Sequence, residues 1–202
     1  MVDFFLKGGP FMYPILAALI IGIMFSLERF WTLTRATINA RKFTSQIRTL
    51  LKGGKISEAI DVCKKTRGPI ANVVNAGLTR HNRGIEAVEK AVMTQGTIEM
   101  AFLERNLVWL ATVVSLAPML GFLGTVSGMV GAFDAIAKAD DISPGLVAGG
   151  ISEALLTTMG GLIVAIIIQF FHNYFVSRID KIVADMEEST QELVDELVEY
   201  NN

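Results

Sequence analysis

The stretch Ile142–Ser177, ISPGLVAGGISEALLTTMGGLIVAIIIQFFHNYFVS, decides the fold. A helix needs roughly 20 residues to cross about 30 Å of hydrocarbon, and this run exceeds that with a single formal charge in it, Glu153. Two further uncharged runs stand upstream, Gly8–Leu27 and Asn106–Phe133. The second is longer than a straight crossing requires, so it is expected to tilt or to extend beyond the hydrocarbon. In a chain of 202 residues that is 51% hydrophobic, with net charge only −2, the charges gather into blocks between these runs. That segregation is what a bilayer demands, and it predicts an all-α membrane protein with three transmembrane helices.

The flanking basic residues give the orientation. Between the first and second runs lie Arg35, Arg41, Lys42, Arg48 and further cations, whereas the link between the second and third offers only Lys138 against Asp140 and Asp141. Positive residues stay inside, so the expected order is an outer amino terminus (1–7), span one (8–27), a cytoplasmic helical region (28–105), span two (106–133), an outer loop (134–144), span three (145–177) and a cytoplasmic amphipathic helix (178–202). A cleaved signal peptide is the competing reading of the first run. It is disfavoured because only Lys7 precedes the apolar core and Phe25–Arg29 offers no small-residue cleavage site.

Within 28–105, Gly53-Gly54, Gly68-Pro69 and Asn82-Arg83-Gly84 read as helix breaks. The pattern through Ile85, Val88, Val92, Ile98, Phe102 and Leu103 meets no proline before span two and predicts one uninterrupted helix there. After Arg178, Ile179, Ile182, Val183, Met186, Leu193, Leu197 and Val198 recur at helical spacing among acidic residues. Such a helix is expected to pack on the basic cytoplasmic helices of its own or a neighbouring subunit. The single cysteine, Cys63, excludes an internal disulfide framework and reads as a structural helix residue.

Two sets of residues stand out. Span two carries Gly121, Gly124, Thr125, Gly128, Gly131 and Ala132 at three- and four-residue steps, with Phe122, Met129 and Phe133 off that line. Small stripes let helices approach closely in lipid, so packing is the plainest role for Gly121, Gly124, Gly128 and Gly131. In span three, Glu153 is followed by Thr157 one turn along, Thr158, and the small pair Gly160-Gly161. A carboxylate at bilayer depth costs about 2.5–3.5 kcal/mol even on insertion scales, which marks it as a functional candidate facing protein or water. Counting back from Arg178 at about 1.5 Å per residue places it in the outer part of the membrane. His172 reads as an interfacial residue. No phosphate loop, metal-ligand cluster, HExxH helix or nucleophilic triad is present in the sequence, and neither enzyme activity, a cofactor, a metal nor a nucleic-acid partner is expected.

Three stretches resemble the MotA/TolQ/ExbB proton-channel family, and its ExbB and TolQ branch most: LERNL (103–107), APMLGFLGTVSGM (117–129) and ISEALLTT (151–158). GGP (8–10) with Pro14 and Glu28-Arg29, together with GPIA (68–71) and AGL (76–78), extend the likeness over most of the chain. The resemblance implies a homo-oligomeric ring, a pentamer, around the single spans of an ExbD/TolR-like dimer in the bacterial inner membrane. It implies that proton motive force drives TonB-type energy transfer for outer-membrane transport, or Tol-type envelope maintenance, with a TonB- or TolA-like protein as a further partner. By position Glu153 matches the family's span-three glutamate, and Thr125 and Thr158 match threonines facing the ring's lumen. Members often carry a proline after Val-Ala-Ile in span three, where this chain has Ile167, so any helix bend there is not implied. A non-conducting scaffold, a small-solute transporter and a four-span flagellar-type stator are the rival readings. The last two are disfavoured by the three spans and the lack of internal repeats.

Overall fold

A computed structural model of the chain describes residues 2–139 and 144–201. Asp140 and Asp141 of the expected outer loop lie outside the described residues. The described chain is all-α: α1 (Val2–Lys7), α2 (Met12–Ala36), α3 (Ala40–Lys52), α4 (Ile56–Lys65), α5 (Pro69–Leu78), a short 3-10 turn (His81–Arg83), α6 (Ile85–Glu104), α7 (Leu107–Ala139) and α8 (Pro144–Asn201). Three of its helices are long and apolar enough to cross a membrane, and they overlap most of each of the three runs read from the sequence. The helices are cut at the expected glycines: Gly54, Gly68 and Gly84 all take positive φ. The uninterrupted helix expected to enter span two is not formed. It breaks between Glu104 and Leu107 because Asn106 adopts φ +70, a left-handed conformation in which asparagine is several-fold enriched.

The chain divides into two units. One gathers the described residues of Met1–Glu28 and Asn106–Tyr174. Here α2 and the first part of α8 run parallel and α7 runs antiparallel to both. The neighbours of Gly9, just before α2, and of Met12 and Gly22 within it are Glu153, Gly160 and Ile168, whereas Ala117, Gly124 and Gly128 of α7 meet Gly161, Thr157 and Ala154. Packing is inverted relative to a water-soluble bundle. Small residues such as Ala117, Ala154 and Gly22 fill the interior, while Phe122, Phe133 and Ile166 are each more than 60% exposed. Bulky apolar side chains pointing outward suit a lipid solvent, which offers no drive to hide them. All three helices meet at Gly22, where a β-carbon would fall 2.6 Å from Ile168 Cδ1 and 3.3 Å from Val113 Cγ1. Phe25 stacks on Trp109, and Asn106 Nδ2 donates to Glu28 Oε2 at 3.2 Å, which ties the residue that breaks the helix to the end of span one.

The other unit holds Arg29–Arg105 and the described residues of Phe175–Asn202. At its centre α5 is buried on almost every side through Ile70, Ala71, Val73, Val74, Gly77 and Leu78. A β-carbon at Gly77 would fall 2.9 Å from both Leu193 and Val92, so α5 is held between α6 and the distal part of α8. That part of α8 buries Phe175, Ile179, Ile182, Met186, Ser189, Leu193 and Leu197, a four-three spacing that keeps one stripe on one side. It packs on α3, whose Phe43, Ile47 and Leu51 are buried and whose first turn is capped by Asn39 accepting from the Lys42 N–H. Arg48 pairs with Glu196, Lys52 lies 3.8 Å from the same carboxylate, and the Thr44 and Ser189 hydroxyls bond at 2.8 Å. The acidic helix therefore covers basic helices of its own chain. Glu99, only 8% exposed, accepts from Asn72 Nδ2 at 2.9 Å and Gln95 Nε2 at 2.8 Å, so this buried carboxylate is held by two amides.

Cys63 sits in α4 beside the equally buried Ala59. Burial pushes its thiol up to about 12. At pH 8 that leaves it roughly three orders of magnitude less thiolate than an exposed cysteine of pKa about 8.5. Iodoacetamide is expected to leave native protein unmodified over minutes and to alkylate Cys63 promptly once denaturant is added, as read by intact mass. Rapid alkylation of the native chain would contradict the packing of α4.

Candidate functional site

The seam between α7 and α8 is built from backbone as much as from side chains. A β-carbon at Gly121 would fall 2.9 Å from the Thr157 carbonyl oxygen and 3.0 Å from Thr158 Cα, and one at Gly128 3.0 Å from the Gly150 carbonyl oxygen. One at Gly124 would fall 2.5 Å from Thr157 Oγ1, and one at Gly161 would overlap the Ala117 carbonyl oxygen. Leu110, Val113, Ala117, Gly121, Gly124, Gly128 and Ala132 form the buried line of α7. Gly131 departs from it, with nothing within 4 Å of its would-be β-carbon. The line advances by three or four residues, and the step of four from Gly128 lands on Ala132, whose Cβ fits against Gly150, leaving Gly131 on the outside. A β-carbon at Gly160 would fall 3.4 Å from Met12 of α2, so Gly160 serves a different contact from Gly161.

The four threonine and glutamate candidates behave in three ways. Thr157 is 1% exposed and its hydroxyl donates to the Ala154 carbonyl at 2.8 Å, a bond within its own helix that leaves nothing free. Thr125 and Thr158 are half-buried and their hydroxyls bond to each other across the seam. The Gly121 carbonyl accepts within 3.2 Å of Thr125 Oγ1 and 3.3 Å of Thr158 Oγ1, and the Ala154 carbonyl lies 3.2 Å from Thr125 Oγ1. Two hydroxyl protons thus have two carbonyl oxygens as acceptors besides each other's hydroxyl, and the pair can change donor without moving a heavy atom.

Glu153 is half-buried and makes no hydrogen bond or ion pair among the described residues. It does not join the threonine pair. Five residues of α-helix turn the chain by about 140° beyond a full revolution, so Glu153 lies at the α2 edge of α8 and Thr158 at the α7 edge. Although Glu153 and Thr158 follow closely in the sequence, the structure puts them on the two flanks of the helix. Its immediate neighbour was missed: the carboxylate rests on Gly9, at the joint between α1 and α2. The Gly8-Gly9 pair was the available signal, since adjacent glycines before a helix invite a close approach.

Small-residue spans carrying one acid and a bonded threonine pair define a class of multi-pass membrane protein with ionisable chemistry inside its bundle. The chain belongs to the MotA/TolQ/ExbB proton channel family, whose profile matches residues 65–188, a range that includes Thr125, Glu153 and Thr158. It is 31% identical to a putative biopolymer transport protein ExbB homolog of Methanothermobacter thermautotrophicus, over 89% of this chain and 64% of that one. It is 36% identical to the biopolymer transport protein ExbB of Xanthomonas campestris pv. campestris, over 54% of this chain and 44% of the relative. Identity to the Tol-Pal system protein TolQ of Haemophilus influenzae is also 36%, over 50% and 46% respectively. The chain spans less than two thirds of the length of each of these three relatives.

Proposed function

We propose that this chain is the ring-forming subunit of a proton-driven motor in the bacterial inner membrane. Several copies, five by the family resemblance, surround the single spans of an ExbD/TolR-like dimer. Glu153, Thr125 and Thr158 then line the lumen from the two flanks of α8, and the glycine seam holds α7 and α8 close enough to form its wall. The observation that carries this reading is Glu153: a carboxylate within a candidate span, half-buried, with no bonding partner among the described residues. An acid in lipid calls for a partner or for water, and a ring supplies both on its axis. The basic residues that follow span one support a cytoplasmic position for Arg29–Arg105 and an outer amino terminus. Protonation of the partner's aspartate lets it pass a low-dielectric lumen, and each charge moved releases about 2.3 kcal/mol per 100 mV. Work is delivered through a TonB- or TolA-like protein to outer-membrane transport. A Tol-type envelope role is the second reading, favoured by a TolQ relative as similar as the ExbB relative, at 36% each.

Co-expression of the chain with a single-span protein that carries an aspartate in its span, followed by native mass spectrometry, tests the assembly. A complex of five copies with two of the partner is the expected result. A monomer, or a ring that never retains the partner, would remove the motor reading and leave the non-conducting scaffold.

A further inference from the structure

Gly9 and Glu153 meet in the span-bearing unit. A β-carbon at Gly9 would overlap Glu153 Oε1 and fall 2.6 Å from Cδ and 3.2 Å from Cγ, so the carboxylate lies directly over the glycine's α-carbon. The joint beneath it is fixed on both sides. The Gly8 N–H donates to the Phe4 and Phe5 carbonyls at 3.1 and 3.3 Å, which closes α1. The Met12 N–H donates to the Gly9 carbonyl at 3.2 Å and the Tyr13 N–H to the Pro10 carbonyl at 3.3 Å, which opens α2. Gly9 itself takes φ +68. Two turns along α8 from Glu153, a β-carbon at Gly160 would fall 3.4 Å from Met12, so the start of α2 is seated on the same side of α8 as the carboxylate. Gly9 lies outside the residues matched by the family profile.

We propose that the Gly8-Gly9-Pro10 joint is a positioning element for Glu153: it fixes the direction of the carboxylate and makes the placement of α1 and the ionisable group depend on each other. This rests on the reading of Glu153 as a working group, which it deepens. A β-carbon at position 9 displaces the side chain, while a shorter residue at 153 removes the conflict. The contact therefore couples two positions at opposite ends of the sequence, and the coupling is measurable on the chain alone.

The test compares Gly9→Asn, Glu153→Ala and the double variant in the purified full chain. Asparagine tolerates positive φ, so Gly9→Asn adds the β-carbon without the full backbone penalty of other residues. Two readouts are taken: melting temperature, and the pH profile of Glu153 modification by a hydrophobic carbodiimide, read by peptide mass spectrometry. Because the displaced atoms are the end of a flexible side chain, Gly9→Asn is expected to lower the melting temperature only slightly in the wild-type background and not in the Glu153→Ala background, and to shift the labelling profile with a several-fold change in rate. If Gly9→Asn alone fails to fold and the double variant folds, the coupling is equally supported. An equal loss in both backgrounds with unchanged labelling, or failure of both variants to fold, would overturn the proposal. Because neither readout needs a partner or a proton gradient, loss of the motor reading would be seen separately, in the assembly experiment.

Discussion

Glu153→Gln is expected to leave the chain folded and assembled and to remove nearly all of its proton-driven work. Glutamine keeps the volume, the burial and one carbonyl oxygen of the side chain, so contacts at the α2 edge of α8 change little. What it loses is the ionisable group, and with it any exchange of a proton at that position. The measurement is proton-motive-force-dependent transport in cells that lack any other copy, together with native mass spectrometry of the variant complex. Full activity in the variant would reduce Glu153 to a structural residue and favour a scaffold. Loss of assembly along with activity would show that the carboxylate acts in packing.

Gly161→Ala is expected to have the largest effect on stability. The added carbon would overlap the Ala117 carbonyl oxygen, and Gly121 Cα is a further neighbour at 3.2 Å, so the obstruction is backbone on a facing helix rather than a flexible side chain. α7 and α8 must separate to admit it, which places the cost at about 3 kcal/mol, the upper end for overpacking. At roughly 2–4 °C per kcal/mol for a chain of this size, the melting temperature falls by about 6–12 °C. The same substitution at Gly131 meets open space and is expected to be neutral, or stabilising by up to about 1 kcal/mol through helix propensity. Equal melting of the two variants would mean that the seam is looser than its geometry.

The spans were legible in the sequence because a bilayer sorts charge from apolar residues over twenty positions at a time, a signal too long to arise from local accident. The seam was largely legible for a related reason. Gly121, Gly124 and Gly128 repeat at helical steps, and only the choice between Gly131 and Ala132 depended on the phase of the helix, which composition does not reveal. The break at Asn106 was hidden because neither proline nor glycine announces it, and a left-handed asparagine is fixed by its bond to Glu28, far away in the chain. The flank on which Glu153 lies was hidden too. Its placement depends on Gly9, a neighbour supplied by the fold and not by any spacing within α8. Thr125 and Thr158 were singled out through the family likeness, but their bond to each other and their sharing of the Gly121 carbonyl needed coordinates.

The chain's single cysteine is sequestered in α4. The native protein therefore offers a chemically silent background for spectroscopic probes: a spin label or fluorophore attached through a thiol introduced near the amino terminus would report from that site alone, with no need to remove the natural residue first.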